Sequence, residues 1–357
     1  MKTYVGLVAL FVAFMLVIPA FSLLGKDAEA SDVVMTNAPA GQTSQPGGAQ
    51  KPQSPASTAK ANTQPAVVQK ANDHYFKLLD QKTGKVIELS AADYVKGVVA
   101  AEMPAEFHVE ALKAQAVASH TYALRLAAIQ EKNPDPTLKG AHFSNDPASY
   151  QSYLSPDEAK AHFGNKYNTY WKKISDAVDA VIDKAIVYQD EPIVAAFHSI
   201  SGGTTETAQN VWGGNLSYLK PVDSAGDKLS PNYEATVTLT AKTVSETLQK
   251  QVEGIELPAD KSKWFADIVR TSSGTVTTVK IGEKSFTGLA LRGWLDLRSA
   301  NFTVNYDKEK DSFIFITKGY GHGVGMSQYG ADYLARQGQK YDQILKHYYS
   351  GVELTDI

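Results

Sequence analysis

The sequence predicts an α+β fold, in which helices and mostly antiparallel strands occupy separate stretches of the chain. Apolar residues recur at helical spacing in several stretches between residues 91 and 183. Short apolar runs typical of strands follow between residues 185 and 317, and they do not alternate regularly with helices. Without that alternation, a doubly wound parallel sheet is not expected.

The composition is that of an ordinary globular protein, and it excludes several kinds of site. The chain has 357 residues, of which 43% are hydrophobic and 20% charged, and its net charge is -3. With that charge and no Lys/Arg cluster, nucleic acid is not an expected partner. Cysteine is absent, which excludes a disulfide framework, a thiol nucleophile and a Cys-ligated metal site.

Residues 1–25 are predicted to form a transmembrane helix that anchors the protein. Lys2 precedes an almost unbroken apolar run over residues 4–24, and about 20 such residues match the hydrocarbon thickness of a bilayer. A cleaved signal peptide is the alternative, since residues 28–30 have an A-x-A pattern, but its apolar core is normally only ~7–15 residues long. In both cases the rest of the chain would lie outside the cytoplasm.

Residues 26–72 are predicted to be a flexible, disordered linker, followed by a folded domain over residues 73–357. The linker is rich in Ala, Pro, Gln, Ser, Thr and Gly and has almost no large apolar residue, so it cannot bury enough surface to fold. A random coil of this length would span roughly 35–40 Å on average. That reach suits a domain that acts near a membrane.

From residue 73 onward, periodicity and turn residues predict helices and strands in a mixed order. Helices are predicted over residues 91–102, 108–129, 167–183, 242–252, 288–296, 327–337 and 341–349. Strands are predicted over residues 75–79, 85–89, 185–189, 192–198, 235–240, 264–270, 275–281 and 312–317. Residues 139–156 are predicted to be a loop.

Glu102 is the acid that the sequence singles out. Ser90 and Asp93 form a capping-box pattern at the start of its helix, and Pro104 should end the helix beside it. A carboxylate there lies at the negative end of the helix dipole and in line with apolar side chains one and two turns earlier. Both effects raise its pKa, as a general acid requires. The alternative is a solvated Glu at a helix end.

The segment Gly319–Ala331, GYGHGVGMSQYGA, alternates glycine with larger residues. One side of it would carry no side chain, which permits close approach by another backbone or by a ligand. Its spacing matches neither a dinucleotide fingerprint nor a P-loop, so a nucleotide site is not favoured.

Metal and serine-hydrolase chemistry are not favoured either. His198 and His322 lie far apart in sequence with no third ligand indicated, so each is interpreted as a hydrogen-bonding group in a polar cleft or a core histidine. The motif HSISGG, residues 198–203, is not G-x-S-x-G and lacks an assignable base. Its Ser-Gly-Gly also fits a plain tight turn.

Uncharged polar and aromatic residues lie beside the glycines of these motifs. Such side chains suit a carbohydrate, whose hydroxyls need hydrogen bonds and whose C–H faces stack on rings. They are Ser201, Thr205, Trp212, Tyr320, Ser327, Gln328 and Tyr329.

Four blocks of the chain resemble the SpoIID/LytB family. The blocks cover most of residues 88–351, in order and at ordinary spacing. They are YVKGVVAAEMPAEFHVEALKAQAVASHTYAL from residue 94, AFHSISGGTTETAQNVWGG from residue 196, LRGWLDLRSANF from residue 291 and GYGHGVGMSQYGADYLARQG from residue 319.

The resemblance implies a lytic transglycosylase that acts in septal wall remodelling during engulfment in sporulation. Such an enzyme cleaves the β-1,4 bond between N-acetylmuramic acid and N-acetylglucosamine without water and leaves 1,6-anhydromuramic ends. The implied partners are peptide-free peptidoglycan strands, a cell-wall amidase and a membrane protein of the engulfment machinery. The implied location is the cell membrane at the forespore septum, on the mother-cell side. The alternative is a non-catalytic wall-binding protein that stimulates a cell-wall amidase.

The family's catalytic Glu falls on Glu102. A lytic transglycosylase needs no second carboxylate, unlike the usual paired-carboxylate glycosidases; Asp223 and Asp227 would be the candidates for one. No metal and no cofactor are expected. The residues expected to bind substrate are His120, His198, Ser201, Gly202, Gly203, Tyr320, His322, Ser327, Gln328 and Tyr329.

Two features depart from the family pattern. Many members have Arg where this chain has His120, so His120 would have to hold the substrate or the catalytic loop differently, with a pH dependence of its own. Some members bind zinc through Cys residues near the loop that corresponds to residues 142–152. This chain has no Cys, so no zinc site is carried over.

Overall fold

The computed structural model describes residues 74–357. The predicted anchor over residues 1–25 and the predicted linker over residues 26–72 lie outside the described residues. Between residues 74 and 357, none of the helices combines the length and apolarity needed to cross a membrane.

The described chain is a mixed α/β structure whose sheets are mainly antiparallel, as the sequence predicted. Its helices are α1 (Ala91–Glu102), α2 (Val109–Lys132), α3 (Pro156–Phe163), α4 (Tyr167–Asp179), α5 (Ala208–Val211), α6 (Ala241–Gln251), α7 (Gly288–Trp294), α8 (Gln328–Arg336) and α9 (Tyr341–Tyr348). Its strands are β1 (Tyr75–Asp80), β2 (Lys85–Ser90), β3 (Phe143–Ser144), β4 (Lys184–Tyr188), β5 (Glu191–Pro192), β6 (Phe197–His198), β7 (Glu234–Thr240), β8 (Ala266–Arg270), β9 (Val276–Ile281), β10 (Lys284–Phe286), β11 (Phe302–Asp307), β12 (Ser312–Lys318), β13 (Met326–Ser327) and β14 (Glu353–Asp356).

The start of the domain follows its predicted local signals. β1 and β2 form the predicted antiparallel hairpin. Ser90 caps α1 by accepting a hydrogen bond from the N–H of Asp93 at 3.1 Å. Met103 is extended rather than helical, as expected of a residue before proline.

One helix was not predicted, and two predicted elements have other bounds. The helix α3 begins at Pro156, the last residue of the predicted loop, where Ser155 and Glu158 form a capping box. The predicted strand over residues 192–198 is broken between β5 and β6, because the N–H of Val194 donates to the Tyr218 hydroxyl at 3.0 Å instead of to a neighbouring strand. The helix predicted to end at residue 183 ends at Asp179, and the chain then turns into β4.

Two hydrophobic cores organise the described residues. In the first, buried side chains of α1, α2, α4, α8 and α9 pack together with those of β1 and β4. The second is formed within residues 234–318 by α6, α7 and two three-stranded antiparallel sheets, ordered β10-β9-β8 and β11-β12-β7. β12 leads directly into the glycine-rich segment, which returns the chain to the first core.

The glycine-rich segment lies against the backbone of residues 196–201. β13 pairs in parallel with β6, and Ile200 and Tyr320 form an antiparallel bridge. A Cβ atom on Gly325, whose φ is +72°, would lie 2.0 Å from the carbonyl oxygen of Ala196. The alternation of glycines permitted close approach by another backbone or by a ligand, and at Gly325 the structure shows another backbone.

Candidate active site

A cleft with a volume of about 290 Å³ lies where residues of the first core and Arg292 of α7 meet the glycine-rich segment. Its size is near the lower end of the range for ligand pockets. Aromatic, small polar and aliphatic residues make up most of its wall. The lining residues are Glu102, Tyr122, Pro147, Ala148, Ser149, Tyr150, Gln151, Ser152, Val194, Ala195, Ala196, Phe197, His198, Ser199, Trp212, Arg292, Tyr320, Gly321, His322 and Gln328.

Glu102 reaches the cleft from the C-terminal end of α1. The N–H of Ser152 donates to its Oε1 at 2.7 Å. Burial raises the pKa of Glu102, and the N–H and hydroxyl of Ser152 oppose that rise by stabilising the ionised form. Among residues 74–357, it is the single carboxylate in the cleft wall. The site thus combines a carboxyl group biased toward its neutral form with a donor that can support the charge once the proton leaves.

Gly97 allows the loop that carries Ser152 to pack on α1. The N–H of Leu154 donates to the Gly97 carbonyl at 3.2 Å. A Cβ atom on Gly97 would lie 2.2 Å from the Tyr153 ring and 2.6 Å from the Leu154 carbonyl oxygen, distances that no packed side chain adopts. The missing side chain at Gly97 therefore determines how closely Ser152 approaches Glu102.

Gly97→Ala is expected to lower the free energy of unfolding by about 1–3 kcal/mol, the usual cost of an overpacked core. Because the loop must move away from α1, the contact from Ser152 to Glu102 should also loosen, and a shift of ~1 Å at a reacting group can cost on the order of 10²-fold in rate. Urea unfolding measures the first effect, and the rate of a reaction that depends on Glu102 measures the second. The matched control is Gly293→Ala in α7, where a Cβ atom meets nothing within 4 Å; equal behaviour of the two variants would contradict this account.

Four of the predicted binding residues lie in the cleft with Glu102: His198, Tyr320, His322 and Gln328. The two histidine rings are 5.6 Å apart, and Trp212 meets His322 edge-on at 5.0 Å. Burial lowers the pKa of His198 to about 4 and that of His322 well below its usual range, so both rings are neutral near pH 7. Within residues 74–357, no group of three His, Cys, Asp or Glu side chains is arranged to hold a metal ion.

Hydrogen bonds from the surrounding residues fix these side chains. The Nδ1 of His198 lies 3.1 Å from the Val324 carbonyl oxygen, and the N–H of Val324 donates to the Nδ1 of His322 at 3.0 Å. The amide of Gln328 donates to the buried amide oxygen of Gln115 at 3.3 Å. Tyr320 lies under the guanidinium of Arg298, 4.4 Å from the ring centroid. This wall of the cleft is therefore held in place before any ligand binds.

Ser201, Gly202, Gly203 and Ser327, which were predicted to bind substrate, do not line the cleft. Ser201 and Ser327 are buried and both hold Asp227, through the Ser201 N–H at 2.8 Å and the Ser327 hydroxyl at 2.7 Å. Gly202 and Gly203 form the tight turn that follows, against the side chains of Asn301 and Lys228. The motif HSISGG thus contributes its histidine to the cleft and its remaining residues to the packing behind it.

His120 and Tyr329 also lie outside the lining of the cleft. His120 lies in α2 with 0% of its surface exposed, and it packs against Phe76 at a ring distance of 6.0 Å. A side chain without exposed surface cannot contact a ligand, so His120 belongs to the core. Tyr329 is half-buried and packs edge-on against Phe107 at 4.9 Å, away from the cleft.

Several lining residues were not predicted as site residues. Arg292 lies in the block LRGWLDLRSANF, and Trp212 had been noted only for its suitability to stack on a sugar ring. Gln151 and Ser152 come from the loop, about 50 residues along the chain from Glu102. The loop sequence has no periodicity or motif that indicates this contact, since the contact arises from tertiary packing on Gly97.

The fold and the cleft define an α+β protein whose open site is built around one half-buried carboxylic acid. The SpoIID family model, described as Stage II sporulation protein, matches residues 79–188. Stage II sporulation protein D of Bacillus subtilis (strain 168) is 41% identical over 265 residues, which cover 74% of this chain and 74% of that protein. The chain therefore belongs to the SpoIID family of sporulation proteins.

Two further relatives agree with this membership. Stage II sporulation protein D of Bacillus amyloliquefaciens is 39% identical over 264 residues, covering 74% of each chain. The Amidase enhancer of Bacillus subtilis (strain 168) is 30% identical over 315 residues, which cover 73% of this chain and 40% of that protein.

Proposed function

We propose that this protein is a peptidoglycan lytic transglycosylase with Glu102 as its acid and base. The observation that carries the proposal is the solitary carboxyl group of the cleft, whose pKa burial raises. A glycosidase that uses water normally needs two carboxyl groups. Intramolecular attack by a sugar hydroxyl needs one group that gives a proton and then takes one back.

Glu102 would act in two steps on the bond between N-acetylmuramic acid and N-acetylglucosamine. The neutral carboxyl group protonates the glycosidic oxygen as that bond breaks. The resulting carboxylate, supported by the N–H of Ser152 at 2.7 Å, accepts the proton of the muramoyl C6 hydroxyl as its oxygen attacks C1. Glu102 gives one proton to the leaving sugar and regains one from the C6 hydroxyl, so it ends the reaction protonated. The product is a 1,6-anhydromuramoyl end.

The lining of the cleft is compatible with a sugar. Trp212 and Tyr320 offer aromatic faces for C–H groups, and Gln151 and Gln328 offer amides for hydroxyl and N-acetyl groups. His198 and His322, neutral near pH 7, add donors and acceptors without charge.

The proposed setting is septal wall remodelling during engulfment in sporulation. It rests on membership of the SpoIID family and on the anchor and linker predicted over residues 1–25 and 26–72. The anchor would hold the protein in the cell membrane with its catalytic domain outside the cytoplasm, at the forespore septum on the mother-cell side. Its substrate would be glycan stripped of stem peptides by a cell-wall amidase, and a membrane protein of the engulfment machinery would be a further partner.

The test is to incubate the purified protein with peptide-free glycan strands and to analyse the new ends by mass spectrometry. We expect ends that are lighter by one water than reducing muramic acid, because the C6 hydroxyl replaces water as the nucleophile. Ordinary reducing ends would instead identify a hydrolase, and intact strands would refute the proposed activity.

A second candidate function is stimulation of a cell-wall amidase without glycan cleavage. The similarity to the Amidase enhancer of Bacillus subtilis favours it. A non-catalytic protein would accelerate an amidase on intact cell walls equally well with Glu102 or with Gln at that position. Stimulation that requires the carboxyl group would favour the transglycosylase.

A further inference from the structure

Arg292 brings a buried positive charge to the cleft without a partner in the protein. Its side chain lies in α7 and is 8% exposed, and it lines the cleft together with Tyr320 and His322. Within residues 74–357 its guanidinium makes no hydrogen bond and no ion pair. Asp296 and Tyr320 act on it only at longer range.

The other four arginines of the chain all have a protein partner. The guanidinium of Arg336 donates to Asp332 at 2.7 Å, and that of Arg125 donates to the Pro192 carbonyl at 3.0 Å. Arg298 lies over the ring of Tyr320, and Arg270 approaches the Gly274 carbonyl at 3.5 Å. Arg292 therefore differs from the other arginines in having no hydrogen-bonding, ionic or aromatic partner among residues 74–357.

A charge removed from water without a partner destabilises the folded state, and the cost is largest for an ionised group. Such a group is compensated when a ligand supplies the opposite charge. The planar fork of a guanidinium matches a carboxylate in particular, which it can bind through two parallel hydrogen bonds. His198 and His322 stay neutral, so Arg292 is the cation that a ligand in this cleft meets.

We propose that Arg292 binds the free lactyl carboxylate of the muramoyl residue and thereby selects glycan strands without stem peptides. The inference rests on the proposed function, which places a muramoyl sugar in the cleft. Muramic acid carries a lactyl ether at C3, whose carboxyl group is ionised when no peptide is attached. Attachment of a stem peptide converts that group to an amide, which has no charge to offer the guanidinium.

Binding rather than cleavage tests this inference, so that its outcome is independent of the activity. Full-length protein with Glu102→Gln is titrated with peptide-free glycan oligosaccharides and with the same oligosaccharides converted to lactyl methylamides. We expect the acid to bind about 10- to 100-fold more tightly, the usual value of a hydrogen bond to a charged group. Adding Arg292→Met should reduce this ratio to about one.

Two further variants separate recognition from folding and from general electrostatics. Arg336→Met removes an exposed positive charge outside the cleft and should leave the ratio unchanged. Arg292→Lys keeps the charge without the fork and should give an intermediate ratio. Circular dichroism and thermal melting show whether Arg292→Met is folded; if it is not, the intermediate ratio of Arg292→Lys still decides.

Equal binding of acid and methylamide by the Glu102→Gln protein would overturn the inference, as would no measurable binding of the acid. Tighter binding of strands with stem peptides, dependent on Arg292, would assign the guanidinium to a peptide carboxylate instead and would also overturn it. A preference for the acid without glycan cleavage by the unmodified protein would leave the inference standing and refute the transglycosylase. If the unmodified protein forms anhydro products equally fast from the acid and from the methylamide, the transglycosylase stands and the inference about Arg292 is overturned.

Discussion

Glu102→Gln is expected to reduce glycan cleavage by about 10³-fold, since the proposed mechanism assigns both proton transfers to this residue and each general acid–base contribution is of order 10²–10⁴. The Gln amide can still accept the hydrogen bond from the Ser152 N–H, so binding of glycan should persist. The folded protein should be no less stable, because burial disfavours the ionised carboxylate that is removed.

The measurement is the rate of appearance of new glycan ends, together with thermal melting of both proteins. Glu106→Gln is the matched control, because Glu106 lies four residues further along, is mostly exposed and bonds to Tyr170 outside the cleft. We expect it to retain full activity. Undiminished cleavage by Glu102→Gln would remove Glu102 from the mechanism.

The raised pKa of Glu102 also predicts the direction of the pH–rate profile. The first step uses the protonated carboxyl group, so the rate should fall as the pH rises above the folded-state pKa. Ser152 limits how far that pKa is raised. Because Ser152→Ala leaves the N–H in place and removes the hydroxyl, it should move the falling limb toward higher pH.

The sequence was most informative where the determinants are local. The cap at Ser90, the break at Pro104 and the apolar face of α1 place Glu102 at a helix end near the core, and these are near neighbours in the chain. The contact of Glu102 with Ser152 depends instead on the packing of a loop against Gly97. Its energy comes from tertiary contacts, which periodicity and turn rules do not encode.

The predicted binding residues that lie outside the cleft lining share a physical feature. Ser201 and Ser327 belong to polar motifs next to glycines, and polarity was interpreted as access to a ligand. The structure pairs both with Asp227, a buried carboxylate whose pKa burial raises. A buried polar group requires partners as much as a ligand site does, so a polar motif alone does not distinguish the two.

His120 is another polar residue that is buried in the core, and its burial has a consequence that can be measured. Neither of its ring nitrogens has a partner in good hydrogen-bonding geometry, although the backbone of Ile182 and Lys184 lies close enough to favour the protonated ring. Burial, followed by the nearby His74, outweighs this and lowers the pKa of His120 to about 4. His198 has a pKa lowered to about 4 by burial, and His322 one well below the usual range. All three rings are therefore neutral in the folded protein near pH 7.

These histidines predict a steep loss of stability in mild acid. The unfolded chain protonates them below about pH 6.5, whereas the folded chain binds those protons only near pH 4 or lower. Stability is therefore full above pH 6.5 and falls as the pH decreases toward 4. At pH 5 His120 and His198 each cost roughly 2 kcal/mol, so the two together are comparable with the lower end of the typical 5–15 kcal/mol of a whole domain. His322 acts in the same direction. Glu102 and Asp227, whose pKa values are raised by burial, act in the opposite direction and reduce the net effect.

His120→Met isolates one of these contributions. It removes a titrating ring from an apolar site and loses no hydrogen bond, so stability at pH 7.5 should change little. The slope of unfolding free energy against pH between 6.5 and 4 should decrease by about 1.4 kcal/mol per pH unit, which corresponds to one proton. Urea unfolding at several pH values measures it.

Thr121→Val is the control for this prediction, because it removes two buried hydrogen bonds on the same helix and no titrating group. It should lower stability by a similar amount at every pH and leave the slope unchanged. An unaltered slope in His120→Met would mean that the ring is already protonated in the folded protein. His120 stands where many family members have Arg, and a pH dependence was expected of it. If the slope does decrease, that pH dependence acts on the stability of α2 and the core around it, and not on contact with the glycan.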